Sequence, residues 1–183
     1  MDSIIQGHWA HLWSTDRAAQ NQSFFALLEA TNQPVDWAYE VWDELVGQFT
    51  HADNHNRAIA AQLLCSLAKS DPEIRMLSEL PALLALTKDA RFVTARHCMQ
   101  SLWKIGVAGK RQQQQLVRGL EIRFRECITE KNGTLIRSDI LQSLRNVYDV
   151  VHDEEIRLVA QSLIDLETDA KYRKKYAQIW IVR

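Results

Sequence analysis

The densest set of chemistry-bearing side chains lies between Ala90 and Leu120. No acidic residue occurs there, and Arg91, Arg96, Lys104, Lys110, Arg111 and Arg118 are all basic. With Arg137 added, this stretch is a candidate binding surface for a phosphate backbone or an acidic protein face. Residues 1–70 hold 8 acidic and 3 basic groups, and residues 71–183 hold 15 and 19. The net charge is only −1, so a solvated helix face is the simpler reading of the run. His8 and His11, like His51 and His55, have spacings that can share a helix face and hold a metal. A structural zinc site wants four ligands, no cysteine lies close in sequence, and no metal site is expected. Cys65, Cys98 and Cys127 are too far apart for a Cys-x-x-Cys site and odd in number, so they read as reduced, buried thiols of a cytoplasmic protein.

Covalent catalysis finds no foothold. Cys98 follows His97 directly, but adjacent helix residues point to different faces. There is no Gly-x-Ser-x-Gly elbow, glycine-rich phosphate loop or dinucleotide fingerprint. Asp43-Glu44 and Glu154-Glu155 fit exposed helix surfaces. A non-enzyme without cofactors is expected. No secretory signal and no run of 18 apolar residues is present, so no membrane span is expected.

The elements that must position these residues are helices. Only 6 Gly and 3 Pro occur in 183 residues, which favours long helices with short connections. The spacing predicts helices over about 3–13 and 17–31, then one opened by Pro34 that buries Val41, Trp42, Leu45 and Phe49. Asp53 reads as an N-cap for a helix carrying Ile59, Leu63, Leu64 and Leu67. Ser70-Asp71-Pro72 restarts the chain with Pro just inside a helix, which Pro81 should bend or split. A helix with Phe92, Ala95, Met99 and Leu102 follows, then a long one over about 110–130. Asn132-Gly133 is a turn, after which come the Ile136–Val147 stripe, the Ile156–Leu163 stripe and a last helix from Asp169 to Val182. No alternating strand pattern competes anywhere.

The strongest signal is repetition. Asp71-Pro-Glu-Ile-Arg75 recurs as Asp153-Glu-Glu-Ile-Arg157 at an offset of 82, and Gln100-Ser-Leu102 recurs as Gln142-Ser-Leu144 at an offset of 42. First helices of each pair then start near 72, 110 and 153, and second helices near 55, 91 and 134. A period near 40 means helix pairs that stack, because one pair cannot bury its apolar faces alone. Here the chain resembles the HEAT and armadillo families. The segment from Asp71 to Gly106 looks like one whole unit, and Ile156, Arg157, Ala160, Leu163 and Ile164 sit as in the common HEAT helix.

The resemblance implies an all-α fold, an α-α superhelix of antiparallel helix pairs. It implies a single domain over 1–183, with N-terminal capping helices at 1–33, repeats at 34–167 and a C-terminal capping helix at 168–183. It also implies a non-catalytic scaffold that binds a protein or peptide. Some HEAT-like proteins are DNA glycosylases acting on alkylated bases, which makes nucleic-acid binding the alternative. Trp42 and Trp103 are available aromatics for such a pocket, yet no carboxylate lies within the basic stretch. Trp9 and Trp13, one helical turn apart, are expected to cover the open end of the stack or to mediate self-association.

Overall fold

The computed structural model describes residues 1–181, so the predicted end of the last helix at Val182 lies outside the described residues. The fold is all-helical, with no strand among the described residues. In chain order the helices are α1 (Ser3–His11), α2 (Arg17–Ala30), α3 (Ala38–Gly47), α4 (Asn54–Leu67), α5 (Met76–Leu86), α6 (Phe92–Ser101), α7 (Trp103–Gly106), α8 (Lys110–Glu126), α9 (Gly133–Val151), α10 (Glu154–Asp165) and α11 (Ala170–Ile179). Short 3-10 turns extend α3, α4 and α8 at their C-terminal ends.

Aspartates set the helix starts. Asp2, Asp16, Asp53, Asp153 and Asp169 stand just before α1, α2, α4, α10 and α11, and each side chain accepts a backbone N–H of the first turn. Those amides have no partner within the helix, which is why a short acceptor there favours helix initiation.

The helices form two rows. In the first, α5 packs on α8 and α8 on α10; in the second, α4 packs on α6, α6 on α9 and α9 on α11. Neighbours in sequence join the rows: α3 to α4, α5 to α6, α8 to α9, and α9 to α10. The core lies between the rows. Its centre is α4, where Ala58 to Ala61 and Leu63 to Leu67 are all buried. A helix buried all round belongs at the middle of a core, and alanines on α4 let its neighbours approach closely. Leu63, Leu64 and Leu67 from α4, Cys98 and Met99 from α6 with Leu102 just after it, and Ile140, Leu141 and Leu144 from α9 continue one cluster along the second row. Each such side chain contributes roughly 1.5–3 kcal/mol by leaving water.

Two expectations about helix starts need correction, and of the two outcomes expected at Pro81 one is removed. Pro34 does not open a helix: α3 begins at Ala38, and the Val35 amide donates to Ser70 Oγ instead. Pro72 is also outside a helix. Asp71 folds its own turn, accepting the Arg75 amide at 2.9 Å, the Met76 amide at 2.7 Å and the Tyr39 hydroxyl at 2.5 Å, so α5 starts only at Met76. That turn holds Ile74 at φ 59°, a left-handed backbone. Pro81 then fails to split α5, which runs through it from Met76 to Leu86. The matching pentapeptides are therefore not equivalent: Asp71-Pro-Glu-Ile-Arg75 is a turn, whereas Asp153-Glu-Glu-Ile-Arg157 is an N-cap and a first helical turn.

Gly133 begins α9 because nothing larger fits. A Cβ there would stand 2.3 Å from the Cys127 carbonyl oxygen.

Candidate functional site

The seven basic residues singled out in the sequence do not form one surface. Arg137 is buried and donates to Glu167 at 2.8 Å, with its guanidinium over the Phe124 ring at 4.8 Å. Arg96 grips Asp139 with Nε at 2.7 Å and Nη2 at 2.9 Å. Lys110 Nζ lies 2.5 Å from Asp153, whose carboxyl this lysine holds below the usual carboxylate range. Lys104 is half-buried and donates to Ser66 Oγ at 2.6 Å, and burial pushes its ammonium below the ordinary lysine range. Arg91, Arg111 and Arg118 are exposed and make no ion pair among the described residues. The carboxylates absent from residues 90–120 arrive from about 40 residues away, where a count along the sequence cannot see them.

Two of those contacts belong to a regular series. Arg17 reaches Asp53, Arg57 reaches Asp89, Arg96 reaches Asp139 and Arg137 reaches Glu167. Each arginine lies within the first five residues of its helix; Asp53, Asp89 and Glu167 stand just before α4, α6 and α11, and Asp139 lies within the first two turns of α9. The arginines are spaced 40, 39 and 41 residues apart. Arg96 and Arg137 already stand at nearly equivalent places on two predicted second helices; that Arg17 and Arg57 continue the series is a repeat signal the short matched segments do not contain. The Arg57 contact is bidentate at 2.6 and 2.9 Å, and it holds the Asp89 carboxyl below the usual range. Gln20 donating to Asn56, and Asn54 facing Thr94, add neutral links between the same helices.

The nearest approach to a nucleophile and base is Lys104 beside Ser66. Ser66 lies inside α4, is buried, and donates its own hydroxyl to the Gln62 carbonyl. The histidines are used locally: His51 Nδ1 accepts the Asp53 amide and His11 Nδ1 lies 2.8 Å from the Gly7 carbonyl. No group of three or more His, Cys, Asp or Glu converges among the described residues. Trp9 and Trp13 pack edge to face at 6.1 Å, and both indole N–H groups donate to Glu44 of α3, at 3.0 and 2.5 Å. Both rings are partly buried against the core, as a cover for that end would be.

Of several open hollows, one of about 630 Å³ lies beside the Asp71 turn, and the helix groove lined by the most apolar side chains is one of about 500 Å³ between α5 and α8. Leu77, Leu80, Pro81 and Leu84 line it from α5, and Gly119 and Ile122 from α8. Arg111, Gln114, Gln115 and Arg118 form its α8 rim. Gly119 is what lets the helices close at the base, since a Cβ there would meet Leu84 Cδ1 at 2.5 Å. Ile122 is 49% exposed, and no carboxylate lines the groove. Arg118 also borders a smaller hollow of about 190 Å³ between α8 and α10, whose Glu121 is engaged by Arg125 at 2.9 Å. Arg111 and Arg118 are among the candidates named from the sequence, whereas none of the α5 leucines is.

No family model matches the chain, and no curated protein does. Among solved structures it is similar to the crystal structure of an engineered protein, a target of the Northeast Structural Genomics Consortium. The two share 17% identity with a TM-score of 0.60, over 98% of this chain and 78% of that one. At that identity the likeness concerns the fold alone. No helix among the described residues is long and apolar enough to cross a membrane.

Proposed function

We propose that the chain is a non-catalytic helical-repeat module, a HEAT/armadillo-like superhelix of stacked helix pairs, that binds a protein or peptide through the α5–α8 face. The arginine series near 40 residues supports the repeat reading, because each unit is joined to the next by the same kind of contact. The observation that carries the function is the α5–α8 groove: an open apolar floor beside two arginines that make no ion pair among the described residues. Exposed apolar surface rimmed by polar groups is the ordinary mark of an interaction site. Three reduced, buried cysteines fit a cytoplasmic setting. Four of the seven cations that a nucleic-acid groove would need are engaged internally, so that alternative has the weaker support.

Two measurements test the reading together. Affinity capture with the wild type, and with Arg118→Glu or Ile122→Asp, should give protein partners that the variants lose while their thermal unfolding is unchanged. Partners retained equally by both variants would sink the α5–α8 assignment. Fluorescent duplex DNA should show no retention at low salt. Salt-sensitive DNA binding lost on reversing Arg91, Arg111 and Arg118 would replace the protein reading with the nucleic-acid one.

A further inference from the structure

We infer that the occupant of the α5–α8 groove is an acidic amphipathic α-helix, an inference that rests on the protein-binding reading above. Three features of the groove lead to it.

The first is the backbone. Both walls are helices, and the main-chain groups of a helix interior are already paired. The groove therefore offers no strand edge to complete an extended peptide. A ligand that satisfies its own backbone, an α-helix laid along the groove, meets no such deficit.

The second is the apolar floor. Leu77, Leu80 and Leu84 on α5 face Ile122 across the groove. From Arg111 to Ile122 the α8 wall spans about 16 Å, or three helical turns. That length accommodates an apolar stripe of the i, i+3, i+4, i+7 kind.

The third is charge. Arg111 and Arg118 lie seven residues apart on one helix, which is about 10 Å, or two turns. A ligand helix running alongside α8 in either direction brings its own i and i+7 positions to the same separation. Carboxylates at those two positions, with apolar residues between them, complement both arginines at once. No carboxylate lines the groove itself, and Glu121 and Glu155 lie on the other side of Arg118, in the α8–α10 hollow. Lys or Arg at those positions would be repelled, so the arginines select the partner's charge as well as attract it.

The test is a displayed library of helix-favouring 14-residue peptides that share one leucine stripe. Each charge-bearing position is randomised among Asp, Glu, Lys and Arg, and the whole chain is the target. The expected result is enrichment of acidic residues at two positions seven apart. The best binder, resynthesised, should lose at least tenfold in affinity against Arg118→Glu. The Arg111→Glu, Arg118→Glu double variant should instead enrich Lys and Arg at the same positions. Both sites are exposed, so helical content and melting should not change, and Arg118→Gln gives an intermediate control.

Enrichment without acidic bias, bias unaltered in the double variant, or no enrichment would each overturn the inference. So would selective binding of duplex DNA at these arginines, or a wild-type homodimer abolished by Arg118→Glu, which would make a second copy the occupant. If the selection fails while captured partners still depend on Ile122 and Arg118, the groove remains the interaction site and only its acidic-helix occupant is wrong. If captured partners ignore both residues, the broader reading falls as well.

Discussion

Arg96 on α6 holds Asp139 on α9 through Nε and Nη2, at 2.7 and 2.9 Å, and Gln100 reaches the same carboxylate at 3.3 Å. A residue that belongs by sequence to a basic run is by structure half of a joint between two helices. Bidentate geometry of this kind is the strong form of a charged hydrogen bond, and removing one partner strands the other.

The joints should matter to stability in proportion to their burial. Arg57 and Asp89 expose 15% and 6% of their side chains, whereas Arg125 and Glu121 expose 50% and 36%. Asp89→Ala should cost about 3 kcal/mol, the usual loss when one partner of a buried pair is removed. Arg125→Ala should cost about 0.5 kcal/mol or less. Urea unfolding of both variants checks the contrast, and equal costs would contradict it.

Acid should loosen the same joints. Arg57 holds Asp89, and Arg17 holds Asp53, below the ordinary carboxylate value. The unfolded chain therefore binds more protons than the folded one near pH 4. Their contribution is complete above the unfolded value of about 3.9 and is lost as pH falls through the lowered folded value. Stability measured from pH 7 to pH 2 should fall in that acid range, and Asp89→Asn should flatten the dependence.

Ile74 carries a left-handed backbone, φ 59°, that a β-branched side chain adopts only at a cost. Ile74→Gly should raise stability by about 1 kcal/mol, since glycine takes this conformation freely. A variant no more stable than the wild type in thermal unfolding would show that contacts of the isoleucine offset the strain.

The thiols should be silent in the native protein. Cys65, Cys98 and Cys127 are buried, and burial raises all three, Cys65 to about 12. Ellman's reagent at pH 8 should find no fast-reacting group without denaturant and three with it. A thiol reacting at once in the native state would contradict the burial.

The helices were legible because their signals are local. Asp53 caps where the N-cap rule places it, and the stripes around Leu63, Leu102 and Leu144 are core. The starts near 55, 91, 110, 134 and 153 agree with α4, α6, α8, α9 and α10 to about a residue. The site was less legible, because charge pairing is decided across the stack. Arg96 and Lys110 meet Asp139 and Asp153, each 43 residues further on. Pro34 and Pro72 misled for a different reason: both precede helices, but in turns that side chains from other segments complete, Ser70 for one and Tyr39 for the other.

Every contact in the arginine series has the same polarity, with the cation on the earlier helix and the carboxylate nearer the later one. Such a joint can be copied. A second copy of residues 53–88 inserted before Asp89 would offer its Asp to the original Arg57 and its own arginine to Asp89. On the proposed repeat reading such an insertion keeps the charged joints in step, whereas a half-module insertion leaves a guanidinium and a carboxylate without partners. If the proposed stacking of units is correct, duplication changes the reach of the chain, and a lengthened chain of that design should still melt in one transition.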